Sequence, residues 1–397
     1  MASHQAKRGE GIVAGRRIGI DDIEPLLEGL AILGTGGGGN PEWGRAILAN
    51  DLARGRELWL VSPGDIPDDA LVVSGGLMGS VKTLESMSIE DLVARWETEF
   101  ELLAATSLME DYLSRKVEYV VPFEAGGLNT PVVLSLAARL GIKAVDGDGL
   151  GRSAPETHMS SFLGHGISLT PMSLVDTHGN AIVVSDQVAP TFADEIGRWM
   201  VTRGGGMGAN NHYPMTGKQL KASVIPGTSS MALALGRTVM AARQSGRDPL
   251  LAARDALGGA DLFRGEVTSV RGEDRGGFYL TEVVLAGNGP HAGREARMVI
   301  KNETMALWID GRLRAVFPDL VCMLDPATGA GLMSVDLAAG KGVALLGTAC
   351  HARLRHAATT PAGRSAFGGA RYGCPHLAYA PIEQLGPEGC GCPRSGG

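Results

Sequence analysis

Residues 117–148 read VEYVVPFEAGGLNTPVVLSLAARLGIKAVDGD, and their reading decides the fold. The run 117–122 is apolar and rich in valine, the composition of a buried strand. Residues 130–140 place apolar side chains at helical spacing until Gly141, and 143–145 form another short apolar run that ends in acidic residues. Upstream, 57–61 and 70–74 read as buried strands and 89–114 carries long helical periodicity. Strands alternating with helices in this way predict a largely parallel sheet covered on its faces.

Further toward the N-terminus, Asp21 and Asp22 can cap a helix that runs through Leu33 and stops at the glycine loop 34–39; Pro41 then opens the next helix. Beyond Arg152 the pattern changes. Residues 172–176 and 181–185 flank His178-Gly179-Asn180 as a hairpin, 190–202 reads as a helix, and Pro226-Gly227-Thr228 precedes a helix over 229–243. A second short helix ends before Gly258. Six apolar or alternating runs follow, at 263–271, 277–286, 296–302, 305–309, 315–322 and 342–346, which predict a small barrel or sandwich. The expected organisation is an α/β domain over 11–255, a β-rich domain over 256–372, and a segment 373–397 that returns to the first domain before a mobile tail.

Composition narrows the function classes. A chain of 397 residues, 44% hydrophobic, exceeds what one core usually organises. Its formal charge of −7, with basic residues scattered, argues against nucleic acid or an anionic membrane as partner. The apolar runs are too short to span a bilayer and the start is polar, so a cytoplasmic location is expected. Five cysteines without framework spacing argue for reduced thiols. The 58 glycines cluster beside apolar runs, which suggests tight turns around a site.

Three segments could carry chemistry. In Thr35-Gly36-Gly37-Gly38-Gly39-Asn40 several backbone N–H groups could cradle an anion or a carbonyl oxygen, although the loop matches neither a Walker nor a dinucleotide fingerprint and also reads as a steep turn. Glu124 and Asn129 stand where a strand hands over to a helix, the end of an α/β sheet at which ligands bind. Asp146 and Asp148, with Arg152 and Glu156 just beyond, could bind a metal, act as general base or grip polar ligand atoms; a solvated, Asp-capped turn is the alternative. His158, His165 and His212 permit a divalent metal such as zinc without a spacing that spells one out. Cys350 and His351 are adjacent to a predicted strand, and neighbouring side chains on a strand point to opposite faces, so Cys350 reads as a core thiol, and Cys390-Gly391-Cys392 has no companion pair.

Read together, these segments resemble the S-methyl-thiohydantoin desulfurase family over about residues 18–385. The motifs that carry the resemblance run from Leu33 through the glycines to Pro41, then Glu124 to Asn129, Val145-Asp146-Gly147-Asp148 with Gly151-Arg152, and Pro155-Glu156. Later come Gly205-Gly206-Met207-Gly208, Ile225-Pro226-Gly227-Thr228, Leu324-Asp325-Pro326 with Thr328-Gly329, and Ala380-Pro381-Ile382-Glu383. Gly368-Gly369-Ala370-Arg371, His158 and the Cys-containing tail depart from the family pattern.

The resemblance implies a three-layer α/β domain followed by a β-barrel-like one. It also implies hydrolysis of a methylthio-substituted imidazolone ring to a hydantoin and methanethiol. For that chemistry Asp148 is the first choice of base, with Asp146 or Glu156 second; His158 or His212 would assist the leaving group. The amides of Gly36, Gly37, Gly38 and Gly39, with Asn40, would hold the ring oxygen, Glu124 and Asn129 the ring amides, and Arg152 a substrate carboxylate. The partner is then a small-molecule substrate, with a homo-oligomer or a hydantoinase-like partner subunit left open. Rival readings are an auxiliary subunit of a hydantoinase or oxoprolinase-type assembly, and a nucleotide or carbohydrate-phosphate binding module built on the glycine loop.

Overall fold

The computed structural model describes residues 14–79, 88–275 and 278–386. The N-terminal leader 1–13 and the Cys390-Gly391-Cys392 segment lie outside the described residues. The first domain is built on strands β1 (Arg16–Ile18), β2 (Leu58–Val61), β3 (Leu71–Gly79), β4 (Tyr119–Pro122), β5 (Lys143–Val145), β6 (Gly147–Asp148), β7 (Met172–Asp176), β8 (Ala181–Val184), β9 (Met207–Thr216) and β10 (Ile225–Pro226). Eight of them form one sheet in the order β1-β2-β5-β4-β3-β9-β7-β8, and β6 pairs with β10 apart from it.

The sheet is mixed rather than largely parallel. Its centre, β2-β5-β4-β3, is parallel, and every pair outside it is antiparallel. The difference traces to β9, which sequence patterning misses because MGANNHYPMT is neither alternating nor apolar. It nevertheless lies between β3 and β7, with Asn210, Asn211 and His212 buried.

Helices cover both faces. Alternation along β7 sends Ser173 to one face, where its hydroxyl donates to Ala105 O in the Glu101–Leu113 helix at 2.7 Å. Leu174 faces the other way, toward Gly197 in the Pro190–Arg203 helix. The helical periodicity over 89–114 resolves into two helices, Ile89–Arg95 and Glu101–Leu113, and no strong turn residue in the sequence marks that break.

The second domain is a seven-stranded antiparallel sheet: β11 (Ala260–Arg275), β12 (Phe278–Gly287), β13 (Glu295–Lys301), β14 (Glu303–Ile309), β15 (Arg312–Val316), β16 (Leu320–Leu324) and β17 (Gly342–Thr348). Its order is β15-β14-β13-β12-β11-β17-β16, so β15 and β16 are opposite edges although only Phe317-Pro318-Asp319 joins them. Such a link spans at most about 15 Å, so the sheet must curl into a half-barrel. The apolar run 315–322 is therefore not one strand: Pro318 cannot continue a ladder, and the chain crosses from one edge to the other there.

The half-barrel buries much of its apolar surface against the first domain. Leu320, Cys322, Leu324, Ala344 and Leu346 belong to the core around the Ile20–Leu33 helix, and Met305, Ala306 and Phe317 to the core on the other side of the first sheet. Residues 373–386 pack at this junction, where Tyr379 Oη and Ile382 N donate to the Asp319 carboxylate at 3.2 and 2.7 Å. Among the described residues no helix is long and apolar enough to cross a membrane.

Candidate active-site cleft

Two glycine-rich loops meet at the carboxyl ends of the parallel strands β3 and β4. Leu128 N donates to Gly38 O at 3.0 Å, and a Cβ on Gly38 would lie 2.9 Å from Gly126 Cα, so the backbones touch where side chains would otherwise hold them apart. The second domain enters from the opposite side. Asn302, the single residue between β13 and β14, takes φ +57° and brings Glu303 onto Gly37, where a Cβ would sit 2.0 Å from Glu303 Oε1. Together these segments, the end of β3 and part of β9 line a cleft.

β9 supplies the cleft through a bulge. Its register against β3 slips between Val72 and Ser74, with Tyr213 at φ +49°, so Asn210 and His212 line the cleft. Asn211 points away, and its Nδ2 donates to Thr106 Oγ1 at 2.7 Å.

Two buried carboxyl groups dominate the electrostatics. Glu124 Oε1 accepts from Asn129 Nδ2 and Oε2 from Ala154 N, both at 2.7 Å. Asn129 Oδ1 accepts from Leu77 N at 2.9 Å, which fixes the orientation of that amide. Glu303 is 1% exposed, and its Oε2 has no partner among the described residues.

Burial pushes the Glu124 carboxyl well above the ordinary carboxylate range, against the pull of Asn129 and Ala154. Burial, and next the charge of Glu124, push Glu303 up as well. Glu124, whose two oxygens are both bonded, is the one that ionises first. His212 is pushed down to about 3 by burial, so its ring is neutral, and its Nδ1 is unpartnered. Its edge meets Phe123 at 5.3 Å.

The remaining sequence-predicted residues divide into neighbours and distant supports. Gly37, Gly38, Gly39, Glu124, Asn129 and His212 line the cleft. Gly36 N donates to Leu332 O and Gly38 N to Gly34 O, so those two amides are spent within the protein. Asn40 does not line the cleft; its Oδ1 caps the Pro41–Ala53 helix through Glu42 N at 2.9 Å.

Asp146 and Asp148 stand outside the cleft. Asp146 accepts from Ser230 N and Oγ at 3.1 and 2.6 Å, holding the start of the Thr228–Gln244 helix. Asp148 Oδ1 accepts from Leu150 N at 2.8 Å and from Gly151 N, while Oδ2 is unpartnered and burial pushes the carboxyl up to about 8. Arg152 stacks 4.5 Å over Phe317 and donates to Asp319 O at 2.8 Å, tying the domains together.

Glu156, His158 and Asp194 offer ligand atoms within 4.8 Å of one another and are the one such buried group among the described residues. Their charges are already compensated. Glu156 accepts from Lys301 Nζ at 2.6 Å and from Arg371, and Arg198 Nε lies 3.7 Å from Asp194. A dication would sit beside three cations, the buried Lys301 and the partly exposed Arg198 and Arg371, so this donor set does not fit a metal. Burial lowers the pKa of His158, leaving a neutral ring there.

Glu303, Asn210 and Arg198 are among the cleft residues that the sequence does not single out. A signal for Glu303 exists: Lys301-Asn302-Glu303-Thr304 interrupts two apolar runs, and such a hairpin tip can reach another domain.

The S-Me-THD-like, N-terminal domain profile matches residues 21–186, and the S-Me-THD-like, C-terminal domain profile matches 188–382. The chain belongs to the S-Me-THD-like family. A crystal structure of a protein from Chromobacterium violaceum matches with a TM-score of 0.73 and 23% identity, covering 92% of this chain and 100% of that one, which speaks to the fold alone. No curated protein matches the chain. In S-Me-THD-like terms the cleft is composite: Gly37, Glu124 and Asn129 come from the N-terminal unit, and Arg198, Asn210, His212 and Glu303 from the C-terminal one.

Proposed function

We propose that the protein is a hydrolase of a small heterocyclic ring of the S-methyl-thiohydantoin type, releasing methanethiol and a hydantoin. The observation that carries this reading is the pair of buried carboxyl groups, Glu124 and Glu303, in one cleft with amide side chains and a neutral imidazole. Their raised pKa values favour a state with one proton between them near neutral pH, which equips a site for acid and base work in turn. Membership of the S-Me-THD-like family supports the choice of ring class. The role first assigned to Asp148 passes here to this pair, because Asp148 does not line the cleft.

In the proposed cycle water bonds to the ring carbon that bears sulfur, its proton passes to ionised Glu124, and the ring nitrogen of the C=N bond takes the proton of Glu303. The tetrahedral carbon then forms its C=O bond, returning the hydroxyl proton to Glu303, while the C–S bond breaks and sulfur leaves with the proton held by Glu124. Both carboxyls end as they began. The neutral His212 ring and Asn210 would bond ring heteroatoms, and Asn129 keeps Glu124 aimed.

The test is thiol release from a panel of S-methyl-thiohydantoins and plain hydantoins by the purified protein. Release from the methylthio ring supports the proposal. Silence across the panel from folded protein would overturn it in favour of an auxiliary-subunit role.

A further inference from the structure

A second cavity opens where the start of the Thr228–Gln244 helix meets residues 318–320 and 348–351. Its wall is mainly apolar, with Leu33, Ile225, Met231, Leu257 and Leu320, and its one fixed cation is Arg152. Arg152 is 2% exposed. Its Nε and Nη1 donate to the carbonyls of Ser153, Pro318 and Asp319, while Nη2 has no acceptor among the described residues.

The carboxyl groups that act on this guanidinium, Glu124, Glu303 and Asp319, balance it only in part. Burial keeps Asp148 and Glu303 protonated near neutral pH. The Asp319 carboxylate is already taken by Cys350 N, Ile382 N and the Tyr379 hydroxyl, at 2.8, 2.7 and 3.2 Å. Consistently, desolvation lowers the guanidinium's own pKa despite these neighbours. A buried cation with one N–H group left without an acceptor, beside an apolar cavity, is stabilised by an added negative charge.

We propose that this cavity is a second ligand site, separate from the cleft, for a small monocarboxylate with an apolar body. The carboxylate end is drawn to Arg152, and the body lies against Leu33, Ile225 and Met231. A dianion such as phosphate is a poor match, since a single cation cannot replace its hydration within apolar walls.

Isothermal titration of the whole chain with isobutyrate and benzoate tests this, with isobutanol, benzyl alcohol and inorganic phosphate as comparisons. The expected result is saturable carboxylate binding at least about tenfold tighter than binding of the alcohols or phosphate. Met231→Trp, which fills the mouth from a half-exposed position, should weaken it by about tenfold or more while the variant still unfolds cooperatively. Arg152→Gln should remove the preference for carboxylates over alcohols; because Arg152 also braces the domains, Met231→Trp decides if that variant fails to fold. No saturable binding, equal affinity for the alcohols, or binding that survives Met231→Trp each overturns the proposal.

Discussion

Replacing Asp148 with Asn separates a structural carboxyl from a catalytic one. Burial raises the Asp148 carboxyl from 3.8 to about 8, so the folded protein holds a proton there that the unfolded chain releases near pH 4. A folded state that binds more protons loses stability as pH rises, and the loss runs from the unfolded value to the folded one. A shift of that size corresponds to an upper bound of about 5–6 kcal/mol between pH 4 and pH 8. Asparagine keeps the Oδ1 acceptor for Leu150 N and Gly151 N but carries no titrating group.

The variant should therefore be less stable than the parent by about 1–2 kcal/mol at pH 5, where an amide replaces a neutral carboxyl with one unpartnered group. The difference should reverse by pH 8–9. Urea denaturation at half-unit pH steps measures this directly, and turnover at pH 7 should stay within about tenfold of the parent. Parallel stability curves for the two proteins would refute the burial argument, and lost turnover in a folded variant would return Asp148 to the chemistry.

Three further outcomes follow from the geometry. Gly37→Ala sets a Cβ 2.0 Å from Glu303 Oε1, so that carboxyl must move; kcat should fall by about 100-fold with a stability loss of about 1–3 kcal/mol, read by parallel kinetics and thermal unfolding. Arg152→Met strands the carbonyls of Pro318 and Asp319 and should cost about 2–4 kcal/mol in urea titrations. Exhaustive chelation should leave both turnover and melting temperature unchanged, because Lys301 and Arg371 already occupy Glu156; activity restored only by added zinc would contradict that assignment.

The sequence made most of the alternation of strands and helices legible up to residue 145, where Gly34, Pro122 and Gly141 bound segments of a single period; the break inside 89–114 has no such marker. The cleft was half legible. Gly37, Glu124 and Asn129 sit at strand ends where local pattern alone places ligand-binding groups. His212 was singled out only as a histidine in a glycine-rich stretch, since polarity hid the strand that positions it. Glu303 comes from a hairpin tip 179 residues beyond Glu124, and nothing local says that the tip closes over Gly37. The Asp146 and Asp148 motif shows the converse: its spacing suits a ligand site, yet both carboxyl groups accept from backbone amides, Asp148 within its own turn and Asp146 at the start of the Thr228–Gln244 helix.

In the proposed cycle Glu124 and Glu303 share one catalytic proton. The measurement that tests it most directly is the pH dependence of methanethiol release by the parent and by Glu303→Gln. The parent should give a bell, its acid limb set by ionisation of Glu124 and its alkaline limb by loss of the Glu303 proton, both above the ordinary carboxylate range. Glu303→Gln should fold, lose the alkaline limb and retain about 0.01–1% of the rate. A variant that keeps the parent's rate and both limbs would contradict the account.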